Sequence, residues 1–155
     1  MDLYIKKKKH TIADKFTITD EKGNVVFKAK GQIISAGNKL TLSDASENDV
    51  AVIHEKKIAL RKKYVIETAE FGSVEVLRKD NGRGITEFHI KELGWEVKGD
   101  FDKDNYKIYK GIPTVAHISP KLLSIGDMLK IDIRNDADMV MVISTVLVCE
   151  LELED

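Results

Sequence analysis

The densest group of chemically active side chains in this sequence is the lysine run at positions 6–9. Closely spaced ammonium groups attract phosphate and other anions, and further lysines recur at Lys28 and Lys30. Successive side chains of a strand face opposite ways, so at most half of the run could contact one ligand. The candidate set for an anionic ligand is therefore Lys6, Lys8 and Lys28.

A plainer interpretation of the lysine run competes with this one. Lysines along the edge of a sheet keep the unpaired backbone of an edge strand away from other chains. The pattern favours such a solvated, lysine-guarded edge strand over a ligand site. A second basic run, Arg61-Lys-Lys63, has the same two interpretations.

An acidic run, Asp100-Phe-Asp-Lys-Asp104, has alternate carboxylates of the kind that bind calcium. A calcium loop of the EF-hand type that begins at Asp100 requires glycine at its sixth position and glutamate at its twelfth. The sequence has Asn105 and Gly111 at these positions. The run is therefore predicted to be a polar turn.

The remaining reactive residue types form no recognisable catalytic or metal-binding motif. The histidines lie far apart, at positions 10, 54, 89 and 117, and none has zinc-site spacing with a cysteine or another histidine. The single cysteine, Cys149, lies in an apolar run and is interpreted as a buried structural thiol. These observations predict a protein that is not an enzyme and that has no metal or cofactor.

The length and composition restrict the class of protein. A chain of 155 residues with only two prolines and no flexible linker predicts one domain, 1–155. Positive and negative charges nearly balance, with a net charge of −1, so nucleic-acid binding is not expected. One cysteine and the lack of an apolar N-terminal segment predict a cytoplasmic protein without a signal peptide or transmembrane segment.

The elements that must position these side chains are organised around the C-terminal stretch, Asp136–Asp155. It carries no charge from Met139 to Cys149, a run too short to span a bilayer and too long for an ordinary strand. As a helix it is apolar on nearly all sides, so protein must enclose it. Asp136 or Asp138 could cap this helix, and its two hydroxyls could bond back one turn. Its many β-branched residues prefer strands, so a buried helix is favoured while a strand pair stays open.

The preceding residues are predicted to form one short strand after another. Large apolar or aromatic residues lead successive strands at a spacing of 24 residues. The series is Phe16, Leu40, Tyr64 and Phe88, continued more loosely by Tyr106 and Met128. Two short strands in each period indicate consecutive hairpins. About ten to twelve strands result, and a sheet of that size tends to close into a barrel.

A barrel of ten to twelve strands is too wide for its own side chains to fill, since about eight strands is the size that fills. The apolar C-terminal segment is the only candidate for the interior. The sequence therefore predicts a mainly β fold, in which a closed antiparallel barrel of about ten to twelve strands surrounds a buried hydrophobic C-terminal helix.

The same pattern resembles the LURP-one-related family of the tubby C-terminal-like superfamily. The resemblance rests on the repeated unit 11–18, its echo at 35–42, a last copy at 124–131 and the segment Trp95–Phe101. It implies a twelve-stranded antiparallel barrel around a hydrophobic C-terminal helix. Tubby domains bind phosphoinositides through basic side chains on the barrel, and phospholipid scramblases belong to the same superfamily.

The resemblance implies a function by analogy only. The first hypothesis is a non-enzymatic binding or interaction module in the cytoplasm, acting on an anionic lipid headgroup, a membrane surface or a protein partner. An enzyme with a site at the barrel mouth and a structural subunit of a protein assembly are the alternatives.

Overall fold

The computed structural model describes residues 1–6, 15–33, 37–59, 61–123 and 126–153. Twelve antiparallel strands form a closed barrel around one C-terminal helix, which confirms the predicted fold class. The strands are β1 (Asp2–Lys6), β2 (Lys15–Thr19), β3 (Val25–Gln32), β4 (Asn38–Asp44), β5 (Asp49–Ile58), β6 (Arg61–Thr68), β7 (Gly72–Asp80), β8 (Thr86–Ile90), β9 (Trp95–Asp100), β10 (Asn105–Lys110), β11 (Thr114–Leu123) and β12 (Gly126–Ile133), and the helix is α1 (Met139–Leu153). Each strand pairs with its neighbours in sequence, and β1 pairs with β12 to close the barrel.

The predicted series of leading residues lines the interior of the barrel. Four of its members, spaced by 24 residues, are buried in the core, as is Tyr106. Met128 is the exception, because it pairs with Lys6 and is only partly buried, on the outer surface. Leu129 fills the inner position instead. In β12 the inward position is therefore one residue later than the looser continuation of the series.

The C-terminal segment is a helix, and protein encloses nearly all of it. Every residue from Met141 to Leu151 is buried. The Ser144 and Thr145 hydroxyls donate hydrogen bonds to carbonyl oxygens one turn earlier, at 2.8 and 2.7 Å, as predicted. Burial inside the barrel thus overrides the strand preference of the β-branched residues. No helix in the described ranges is long and apolar enough to cross a membrane.

A short 3-10 turn, Asp136–Asp138, leads into α1. Asn135 caps this turn, because its side-chain oxygen accepts from the Ala137 amide at 3.0 Å. The predicted caps, Asp136 and Asp138, lie within the turn itself. Asparagine is as good a cap as aspartate, and the turn moves the cap ahead of the first helical residue.

The segment Trp95–Phe101 contains β9, which packs closely against β10. Gly99 lies opposite Tyr106, and a Cβ at this glycine would lie 2.5 Å from the Tyr106 Cα. The Phe101 ring then packs against Phe88 and Tyr106, with ring centroids 5.5 and 4.8 Å apart. The acidic run that follows forms a turn, as predicted, in which Asp100 accepts from the Lys103 amide at 3.2 Å.

Candidate functional site

The candidate site is a group of lysines on the outer surface of four adjacent strands. We call it the lysine face, and it consists of Lys6, Lys15, Lys28, Lys30 and Lys39. These positions alternate with inward residues such as Ile5 and Phe16, so all five side chains face out. The lysine face is a basic patch on a continuous sheet.

The strand register sets the spacing within the lysine face. Lys28 lies opposite Thr17, and Lys15 lies directly opposite Lys30. Tyr4 pairs with Thr19, so the same register continued places Lys6 opposite Thr17. Lys6 and Lys28 are thus two strands apart, or roughly 10 Å.

The structure accordingly brings two of the three predicted residues, Lys6 and Lys28, onto one surface. Lys8 lies outside the described residues. Sequence reasoning omitted Lys15 and Lys39 from the site. Lys15 could have been found, because it precedes the inward Phe16 and must therefore face out.

Most lysines of this face have no carboxylate partner among the described residues. Within the part of the chain that the structure describes, Lys15, Lys28, Lys30 and Lys39 form no ion pair. The cross-strand partners of Lys28 are the hydroxyl residues Thr17 and Ser43. The ammonium groups are therefore available to an external anion.

The interpretation of the lysine run as an edge strand is wrong for its described part. Lys6 ends β1, which pairs with both β12 and β2. The second basic run also lies in a strand with two neighbours, β6, where Lys63 Nζ contacts Glu75 at 2.6 Å. The barrel has closed its edges, so protection of an edge does not explain these lysines.

The next strands around the barrel, β5 to β9, have the opposite character. Several charged outward side chains there contact one another. We call this set the paired face, and it consists of His54, Lys63, Glu67, Glu75, Glu87, His89, Glu96 and Lys98. Lys98 Nζ contacts Glu96 at 2.5 Å, and His54 Nε2 contacts Glu67 at 3.0 Å. The Lys98 hydrogen bond lowers the pKa of Glu96, and the His54 hydrogen bond lowers the pKa of Glu67. Charges on this face therefore satisfy one another.

One cluster within the paired face has the residue types of a metal site. Potential ligand atoms of Glu87, His89 and Glu96 lie within 4.8 Å of one another. His89 Nε2 already contacts Glu87 at 2.9 Å, and Lys98 contacts Glu96. A cation would have to displace the Glu87 contact of His89 and the Lys98 contact of Glu96. The cluster is therefore described more simply as part of the ion pairs of the paired face.

The two ends of the barrel also differ. The turns at the end where α1 begins are rich in carboxylates, and we call this the acidic end. Its acidic residues include Asp20, Glu21, Asp44, Glu47, Glu70, Asp136 and Asp138. Most of the lysine face lies toward the opposite end, where β1 ends and β2 begins. The positive N-terminus of the helix dipole thus points to the carboxylates, a favourable arrangement.

Comparison with known proteins decides the family. A model of the LURP-one-related family matches residues 1–150. The chain belongs to the LURP-one-related family. It is 28% identical to the Bacillus subtilis protein YxjI over 153 residues, which cover 99% of this chain and 94% of YxjI.

Two Arabidopsis thaliana proteins extend the comparison of this LURP-one-related chain. LURP-one-related 10 is 31% identical over 67 residues, which cover 43% of this chain and 34% of the plant protein. An Arabidopsis protein of known X-ray structure shares the fold, with a TM-score of 0.67 and 21% identity over 97% of this chain and 88% of that chain. The barrel is therefore shared with a plant protein.

The cysteine thiol of this LURP-one-related barrel is enclosed in its interior. Cys149 is fully buried, and burial raises its pKa well above the usual value. A thiol in this state is a packing residue, as predicted, because the nucleophile is the thiolate. Helix α1 occupies the centre, so any ligand must contact the outer wall or the ends.

Proposed function

We propose that this LURP-one-related protein is a non-enzymatic cytoplasmic binding module whose lysine face binds the anionic headgroups of a membrane surface. The supporting observation is that lysines without ion pairs are grouped on adjacent strands. Four outward lysines on β2, β3 and β4 form no ion pair in the described ranges, whereas Lys63 and Lys98 of the paired face are neutralised by carboxylates. The resemblance to the tubby-like superfamily supports the same choice of ligand.

The geometry favours a surface over an enclosed ligand. The five lysines lie on the outer wall of a barrel, where their flexible side chains can each meet a different headgroup. A lysine near an anionic membrane contributes about 1 kcal/mol, so the whole face would contribute about 5 kcal/mol at most. The attraction acts only within a Debye length of about 8–10 Å at physiological salt, so binding should be weak and salt-sensitive.

Vesicle co-sedimentation tests the proposal directly. The protein is expected to pellet with phosphatidylcholine vesicles that contain phosphatidylserine, to stay in solution with phosphatidylcholine alone, and to be released by added salt. The double variant Lys28→Gln/Lys30→Gln should lose most of the binding. Failure of the wild type to bind anionic vesicles at low salt would refute the proposal.

A matched control separates the lysine face from total charge. Lys107→Gln/Lys110→Gln removes the same charge from β10, across the barrel, where neither lysine forms an ion pair within the described residues. This variant should bind vesicles like the wild type. Equal losses in both variants would mean that net charge alone governs binding.

A soluble competitor distinguishes a membrane surface from a single phosphate group. Inorganic phosphate at the same ionic strength as sodium chloride should release no more protein than the chloride does. Stronger release by phosphate would indicate a discrete phosphate site on the lysine face.

A further inference from the structure

A groove opens at the acidic end of the barrel, where α1 enters. Its walls are the start of β5 and the turn between β6 and β7, and its floor is Ala137, Val140 and Met141. The volume is about 460 Å³. This size is within the range of about 300–1,000 Å³ found for ligand sites.

At the groove, the first turn of the apolar helix is incompletely enclosed. Val140 is only partly buried, whereas every residue from Met141 to Leu151 is buried. Val50 and Phe71 on the walls are also partly buried and pack against the core. An apolar group placed in the groove would complete the covering of the first helical turn.

Carboxylates are the charged residues that line this groove. They are Asp49, Glu67 and Glu70, and no basic side chain lines it. Asp49 accepts from the Ser43 hydroxyl at 2.9 Å, and the pKa of Glu67 is lowered by its hydrogen bond from His54. Among the described residues, Glu70 forms no hydrogen bond or ion pair. The groove therefore offers ionised oxygens with unused acceptor capacity.

The surroundings of the groove exclude several classes of ligand. Anionic lipids and nucleic acids would be repelled by the lining and by Asp136 and Asp138 beside the helix start. A peptide cannot add as a strand, because the closed barrel has no free edge. The occupant must therefore insert side chains and must be cationic as well as apolar.

We propose that this groove binds a basic amphipathic peptide segment of a partner protein. An apolar side chain of the segment fills the groove over Val50, Phe71 and Val140. Flanking lysine or arginine side chains pair with Asp49 and Glu70. The site is independent of the lysine face and uses the opposite sign of charge.

The test uses a set of capped synthetic hexapeptides and the full chain. Each peptide has two central apolar residues, taken from phenylalanine, leucine, methionine and tryptophan, between two pairs of basic residues. Two control peptides replace the flanks by glutamate or the centre by glycine and serine. Backbone amide shifts in NMR should move at Val50, Phe71 and Ala137 with at least one basic amphipathic peptide and with neither control.

Two charge reversals locate the binding. Glu70→Lys should weaken the best peptide at least tenfold. Glu21→Lys makes the same change in the β2–β3 turn at the same end, away from the groove, and should change affinity less than twofold. Both residues are exposed, so neither variant should disturb folding, and the amide spectrum of each variant checks this.

Several results would overturn the proposal. One is the absence of groove shifts with every basic amphipathic peptide at about 1 mM, a concentration that detects dissociation constants of about 1 mM. Equal weakening by Glu70→Lys and Glu21→Lys would reduce the effect to general charge attraction. Binding of the glutamate-flanked control, or self-association of the protein through the same amides, would show that the occupant is different.

Discussion

The lysine face and the paired face belong to the same sheet but differ in how their charged side chains are paired. On the paired face, Lys63 and Lys98 contact Glu75 and Glu96. On the lysine face, Lys15 lies directly opposite another lysine, Lys30. Like charges directly opposite each other in a ladder destabilise it, while opposite charges stabilise it. Contact with α1 constrains only the inward residues of each strand, so the outward residues can differ in charge from one face to the other.

The lysine face and the paired face both belong to a barrel that packs around α1. A charge placed inside α1 should therefore have the largest effect on stability. Leu147→Asp places a carboxylate at a fully buried position of α1. Burial of an unpaired charge costs several kcal/mol, so the variant should be unfolded or melt far below the wild type. Circular dichroism and thermal unfolding measure this.

A conservative variant provides the control for the helix prediction. Leu147→Met keeps the volume and should cost less than about 1.5 kcal/mol. Removal of residues 136–155 should also abolish cooperative folding. A truncated chain that still gave one cooperative transition would show that the barrel does not depend on its helix.

The inward residues of the barrel and the central helix could be predicted from sequence. Phe16, Leu40, Tyr64 and Phe88 all line the interior, because each hairpin of 24 residues returns the same face to the core. The run Met139–Cys149 is too apolar for any place other than the centre. Both inferences depend on local periodicity and on the need to bury apolar surface, which the sequence states directly.

The arrangement of the outward residues could not be predicted as well, because it depends on contacts between residues far apart in sequence. The pairing of β1 with β12 joins the two ends of the barrel sheet, and this removed the edge that the lysines were thought to guard. The position of Lys15 opposite Lys30 follows from the β2–β3 register, and no single segment contains that information. The groove at the acidic end was also missed, since it combines β5, β6 and α1.

The next effect compares removal of one charge from each face. Lys63→Gln breaks the contact with Glu75, in which both side chains are about one-third exposed. Exposed pairs contribute about 0.2–1 kcal/mol, so a loss in this range is expected. Lys28→Gln removes a lysine that has no ion pair within the described ranges and should leave the free energy of unfolding unchanged or slightly higher.

Urea unfolding at neutral pH measures both variants of this pair. Lys28→Gln is expected to be as stable as the wild type or slightly more stable. Lys63→Gln is expected to be less stable than the wild type. A loss for Lys28→Gln as large as that for Lys63→Gln would mean that the lysine face contains pairs that stabilise the barrel. The distinction between the two faces would then fail.

A smaller effect is expected on the stability of the protein in acid, through the Glu67 carboxyl of the paired face. The hydrogen bond from His54 lowers the pKa of Glu67 below its ordinary value of 4.5 in the folded state. A carboxyl with a lowered folded pKa stabilises the fold above its ordinary value, and this contribution is lost as pH falls through the lowered value. Below pH 4.5 the stability of the wild type should therefore fall more steeply than that of Glu67→Gln.

NMR titration of the Glu67 carboxyl, with urea midpoints at pH 7 and below pH 4.5, measures this contribution. Lys28→Gln is the control, because it changes no carboxyl and should keep the pH dependence of the wild type. A folded pKa of Glu67 at or above 4.5 would contradict the account of the paired face.

The smallest effect on stability is the most informative about function. Lys30→Glu would convert the repulsion with Lys15 into an opposite-charge pair in the same ladder. The gain should be about 0.5 kcal/mol or less, because the pair is exposed. The same change should weaken binding to anionic vesicles more than Lys30→Gln does, since it adds repulsion to the loss of attraction. A variant that is more stable and binds less would show that the lysine face sacrifices stability for a ligand. If Lys30→Glu instead lowers the urea midpoint, the two lysines do not repel each other in the folded protein, and their arrangement needs no ligand to explain it.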